Sequence, residues 1–337
     1  MAGYSKTDKF LHRFYLSNYS ISKATLEMEE IVNGARIKNL NIEQLVFVTG
    51  LARSGTTAVM RKIFNTNAYA SLQYANMPFL LCPNLWNRVS KIESHERAHK
   101  DGIVIDGNSP EEFDEYFWKA FLNDSYIKEE GLELHEPDED ILKKYETYVS
   151  LICLAKNKKR YISKNNNSIL RISSLERIPN SKVIILYRHP IDHASSLMKL
   201  DKNFSKDHSD DPFNLEYFNF LGHHEFGMNH KPFLLTDEFE SNRIKYDKSS
   251  LNYWLSIWLN YYEYVLAHKN DAHLLVSFEE LIEKPNLNYK RIASYLEVDF
   301  NIKDAKPYKP TKYHNTEFDE VLLEKCIKVY NTLNANE

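Results

Sequence analysis

The 337-residue chain is 43% hydrophobic and 27% charged, with 9 glycines and 11 prolines, a composition that excludes collagen-like, low-complexity and largely disordered chains. Its 43 Lys and Arg against 47 Asp and Glu leave a formal charge of −4, so no global field draws nucleic acid or an anionic membrane, and any anion site has to be local. No run approaches the ~20 apolar residues of an integral membrane segment, and no signal-peptide core opens the chain. Cys82, Cys153 and Cys326 are too scattered for a disulfide framework or a zinc site. Buried free thiols and a cytoplasmic location are the expectation.

In chain order, residues 1–40 carry helical patterning (Leu26, Met28, Ile31, Val32) and form a helical N-terminal extension. Gln44–Thr49 is a short β-branched and aromatic run that enters Gly50, the pattern of a buried strand ending in a tight turn. From Thr56 the spacing of Val59, Met60, Ile63 and Phe64 is helical. Ser109, Pro110 and Glu112 have the form of a capping box, which predicts a helix start there and gives Glu112 a capping role. Further strands are expected at 160–163, 182–187 and 273–278, with helices over 192–200, 252–268 and 286–296. Alternating strands and helices predict an α/β fold with a mostly parallel central sheet. The polar, poorly periodic stretch over about 200–250 reads as an insertion within one domain spanning 1–337.

Two strand-to-helix junctions carry the chemistry. Gly50-Leu-Ala-Arg-Ser-Gly-Thr-Thr57 has the two glycines of a phosphate-cradling loop, but Thr56 stands where nucleotide triphosphatases place lysine. The amides from Ser54 to Thr57, spanning Gly55 and Thr56, can still wrap a phosphate, with Arg53 beside them. At the second junction Arg188 ends a strand, Pro190 opens a helix, and Ser196 leans back toward the helix start. Two anion sites at strand ends suit a nucleotide with phosphates at both ends of its ribose.

These residues resemble the sulfotransferases that use 3′-phosphoadenosine 5′-phosphosulfate (PAPS). The loop through Arg53 is similar to their 5′-phosphosulfate loop, with Ala52 where proline is usual, and Arg188, Pro190, Asp192 and Ser196 are similar to their 3′-phosphate motif. Arg97-Ala-His99, Lys164-Asn-Asn-Asn167, Leu221-Gly-His-His-Glu-Phe-Gly227 and the Trp254 helix look like a bacterial branch, so the resemblance spans about residues 44 to 300. It implies a P-loop-like three-layer fold with helical insertions, PAPS as co-substrate and no required metal. It also implies that Lys164 contacts the oxygen between sulfur and phosphorus, where charge grows as the S–O bond breaks.

The acceptor hydroxyl also needs a base. No Asp or Glu occurs between Gly50 and Ile92, so the glutamate that some relatives place after the loop has no equivalent. His99 is the favoured base, with His95, Asp106 and Glu115 as alternatives. His223, His224 and Glu225 read as structural or acceptor-lining rather than metal-binding, because adjacent side chains on a helix diverge. The acceptor is expected to be a small molecule or a glycan, contacted by aromatic residues within 69–86 and by the segment around His223. The rival readings are a catalytically silent nucleotide-binding protein on the same fold and a P-loop kinase-like transferase.

Overall fold

Runs of apolar residues that bury both faces of a strand belong at the middle of a parallel sheet, and this chain places them there. A computed structural model describes residues 4–89, 97–98, 104–105, 110–242, 244–299 and 318–335. Strand β1 (Gln44–Thr49) is buried along its whole length. Among the described residues it joins β2 (Tyr69–Ala70), β3 (Arg160–Lys164), β4 (Ser181–Tyr187) and β5 (His273–Ser277) in one parallel sheet of order β2-β3-β1-β4-β5. The register sets Val48 beside Lys164, Thr49 beside Ile185 and Tyr187 beside Ser277. The carboxyl ends of four strands therefore share one edge, where ligands of open α/β sheets bind.

Alternation along the strands divides the core in two. Val46, Val48, Ile162, Ile184 and Leu186 pack with the helix Thr56–Phe64 and with the helix Pro285–Leu296 on one face. Leu45, Phe47, Tyr161, Val183 and Ile185 pack on the other with the aromatic rows of Glu139–Lys156 and Leu251–His268. Helix, sheet and helix make three layers, as expected. The N-terminal patterning becomes two helices, Lys6–Leu16 and Tyr19–Ile37. The three cysteines are free and buried, and no described helix is long and apolar enough to cross a membrane.

Two elements differ from expectation. The helix opening at Pro190 runs to Asp210 rather than stopping near 200. Its distal half is held by polar contacts: Asp201 accepts from the Gly227 amide at 2.7 Å and pairs with Lys248 at 2.8 Å. That anchoring leaves no apolar stripe for a periodicity argument to detect. The helix expected from Ser109 starts instead at Glu115 and runs to Leu122. Pro110 forms an antiparallel bridge with Gln73 and the Glu111 amide donates to the Leu72 carbonyl at 3.4 Å, so this stretch is tied to the β2 exit and Glu112 does not cap the helix that starts at Glu115.

Candidate active site

The loop after β1 is shaped by three residues with left-handed or near-left-handed backbone: Gly50 at φ 149°, Arg53 at 73° and Gly55 at 100°. A side chain at Gly50 would put its Cβ 2.5 Å from the Leu186 carbonyl oxygen, so the loop lies directly against the end of β4. Gly55 caps the helix Thr56–Phe64, and the first-turn amides of a helix have no intrahelical acceptor and face outward as anion donors. Ser54 and Thr56 are buried, while Gly55 and Thr57 are partly exposed.

The second junction meets the first. Arg53 Nε donates to Ser196 Oγ at 3.4 Å across 143 residues of sequence, joining the two anion motifs at one sheet edge. Arg188 directly follows β4, is 5% exposed, and lies with its guanidinium 4.7 Å from the centre of the Phe278 ring. Its carbonyl accepts from Trp258 Nε1 at 3.0 Å. His193 on the same helix donates from Nε2 to the Ala52 carbonyl at 2.8 Å. Burial drives its pKa down to about 3, so the imidazole is a neutral tether between the junctions.

Lys164, the last residue of β3, is buried and ion-paired with Glu112. The second Glu112 oxygen accepts from the Asn166 amide at 2.5 Å. Glu225 accepts from Asn166 Nδ2 at 2.8 Å, and His223 Nδ1 stands 3.9 Å from the other Glu225 oxygen. His223 and Glu225 lie beyond the helix Pro212–Leu221, past Gly222 in the left-handed conformation, and here the expectation of divergence on a helix fails. Ligand atoms of Glu112, His223 and Glu225 all fall within 4.8 Å of one another, and the Lys164 ammonium is the cation at this cluster. His224 turns away to the Asn229 carbonyl at 3.1 Å.

Burial pushes the Glu112 carboxyl up to about 8 against the opposing pull of Lys164. Burial also pushes Glu225 up, but His223, Lys164 and Asn166 outweigh it and hold Glu225 below the ordinary carboxylate value. His223 is lowered by burial.

The candidate bases separate. His95, His99 and Asp106 lie outside the described residues. Glu115 is fully buried and gripped by Arg171 through two contacts of 2.7 and 2.8 Å, by Asn165 Nδ2 at 2.8 Å and by the Tyr126 hydroxyl. Burial raises its pKa, but Arg171 more than reverses that and leaves it at about 2. Glu115 is thereby a structural anion with its lone pairs occupied. Glu112, which sequence reading assigned to a cap, takes the place beside Lys164. Nothing local signals this, because the contact depends on the bridge between Pro110 and Gln73.

Residues 43–326 match the family model described as a sulfotransferase domain. Solved structures with a similar fold include sulfotransferase STF9 from Mycobacterium avium, at 13% identity over 94% of this chain and 83% of that one, with a TM-score of 0.55. Sulfotransferase STF1 from Mycobacterium tuberculosis H37Rv is similar at 12% identity over 88% of this chain and 79% of that one, with a TM-score of 0.52. Likeness at these identities is a likeness of fold. A search of curated protein sequences gives no match.

Proposed function

The chain belongs to the sulfotransferase family, and on that premise we propose that it transfers a sulfonate group from PAPS to an acceptor hydroxyl and releases 3′-phosphoadenosine 5′-phosphate (PAP). The observation that carries the reading is the 3.4 Å contact between Arg53 and Ser196. It sets the loop after β1 and the junction after β4 at one edge, which supports a ligand phosphorylated at both ends of its ribose.

The donor set fits that substrate. The amides of Gly55, Thr56 and Thr57 would hold the 5′ end, while the Ser54 amide, expected to join them, donates instead to the Leu51 carbonyl at 3.1 Å; Arg188 and Ser196 would hold the 3′-phosphate, and Arg53 would stand between the two. Thr56 at the position of a triphosphatase lysine leaves no cation for a β/γ-phosphate, which weighs against a kinase-like transferase. Lys164 lies opposite Val48, two residues before Gly50, where a cation would stabilise the phosphate oxygen that leaves sulfur. No step in this scheme calls on a metal.

For the acceptor, the proposal is a hydroxyl of a carbohydrate or glycoconjugate. Asn166 and Asn167 next to the site are 2% exposed, and their side-chain oxygens have no hydrogen-bond partner among the described residues. Unpaired polar atoms beside the site suit a polyhydroxylated ligand, reached through a bridging water or a side-chain shift, better than a purely apolar one. The test is transfer from sulfur-labelled PAPS to a panel of glycans, phenols, sterols and amines without added magnesium. Label on a glycan with release of PAP is the expected result. Absence of transfer to every acceptor, with PAP still bound, would favour a silent nucleotide-binding protein.

A further inference from the structure

A sulfonate transfer leaves one proton to be placed, and the ring of groups around Lys164 offers a place for it. Glu112 is 2% exposed and touches Lys164 directly, while its other oxygen takes the Asn166 amide. The groups facing it are Lys164 from β3, Glu111 from its own segment, Glu225 and His223 from the segment after Gly222, and Tyr261 from the helix Leu251–His268. Ser163, one residue before Lys164, points to the opposite face of the strand and donates to Asp114 at 2.5 Å, so Asp114 serves the core side. Glu115 is committed to Arg171. Among the described carboxylates, Glu112 is the one paired directly with the lysine assigned to the leaving group.

We propose that Glu112 is the catalytic base of this enzyme, taking the proton of the acceptor hydroxyl while Lys164 attends the leaving oxygen. The proposal rests on the transfer reading above. The acceptor O–H bond breaks and its proton passes to the Glu112 carboxylate as the acceptor oxygen bonds to sulfur. The bond from sulfur to the bridging oxygen breaks, its electron pair stays on the 5′-phosphate of PAP, and the Lys164 ammonium donates a hydrogen bond to that oxygen. Glu112 later returns its proton to solvent. One ion pair thus joins the group that accepts the proton to the group that receives the negative charge. The direction of its pKa supports the role, since a base is most effective when its pKa lies near the working pH.

The test compares two kinds of acceptor in the full chain. Water and octyl glucoside must lose a proton in the transition state, whereas 4-nitrophenol is already ionised at mildly alkaline pH and needs no base. Glu112→Gln keeps the size of the side chain and one acceptor oxygen, for Lys164 or for the Asn166 amide, but cannot accept a proton. It should lower PAP release with water or octyl glucoside by about 10²–10⁴-fold, leave transfer to 4-nitrophenol nearly intact, and bind PAP as the wild type does. The acid limb of kcat/KM near pH 8 should be present in the wild type and absent in the variant. Equal losses with both kinds of acceptor would make Glu112 a positioning or structural group and overturn the proposal. Normal turnover of Glu112→Gln beside an inactive, PAP-binding His99→Gln would overturn it in favour of His99. A wild type that does not bind PAP would instead overturn the transfer reading, and this proposal with it.

Discussion

Lys164 illustrates how much a residue's meaning depends on what surrounds it. In sequence it is one of 43 basic residues, and the role proposed for it rests on resemblance alone. In the fold it is 8% exposed and bound to a carboxylate that is itself buried. Lys164→Met should lower turnover by about 10²-fold or more while changing PAP affinity comparatively little, as expected for a group that acts on charge developing in the transition state. Kinetics paired with PAP calorimetry separates the two effects, and parallel losses in both would move Lys164 into ground-state binding. Arg53, Arg188 and Ser196 were legible because each follows a recognisable strand end at fixed spacing. Glu112 was not, because Ser109, Pro110 and Glu112 also satisfy the local pattern of a helix cap. The long-range bridge to Gln73 overrides that pattern.

At the scale of elements, the β1 loop and the junction after β4 act as one unit. A Cβ at Gly55 would sit 2.8 Å from the Phe278 ring, the same ring that supports Arg188. Gly55→Ala should therefore cost about 1–3 kcal/mol in backbone strain and also weaken PAP binding, since moving Phe278 disturbs the guanidinium above it. Thermal unfolding with and without PAP checks both effects, and a variant with normal Tm and normal PAP response would show that the loop relaxes freely. The central strands were readable nearly to the residue because continuous apolar runs have few alternatives. β1 was read as Gln44–Thr49, and β4 gains only Ser181. The helix from Pro190 was cut short because Asp201 and His208, both buried, anchor its distal half through polar contacts that leave no hydrophobic period.

Across the whole molecule, the buried pair of Glu115 and Arg171 ties the helix Glu115–Leu122 to the turn after β3, with side-chain exposures of 1% and 0%. Removing one partner leaves an uncompensated buried charge, so Arg171→Met should destabilise the fold by about 3–5 kcal/mol, while replacing both partners with apolar residues should recover part of that loss. The pair also sets an acid dependence. The Glu115 carboxyl is held at about 2 against an ordinary 4.5, so the folded state binds that proton less readily than the unfolded chain. Its contribution is complete above 4.5 and disappears as pH falls toward 2, a window that denaturant titrations of wild type and Glu115→Gln resolve. An unchanged acid profile in the variant would assign acid unfolding to other carboxylates.

On the proposed reading, two loops at one sheet edge hold a nucleotide by both of its phosphate ends. Calorimetry without magnesium, comparing PAP with adenosine 5′-phosphosulfate in the wild type, Arg188→Ala and Ser196→Ala, tests it most directly. PAP should bind the wild type without magnesium, and both substitutions should weaken PAP much more than adenosine 5′-phosphosulfate, which has no 3′-phosphate to lose. Equal losses for the two ligands, or binding that appears only when magnesium is added, would contradict it.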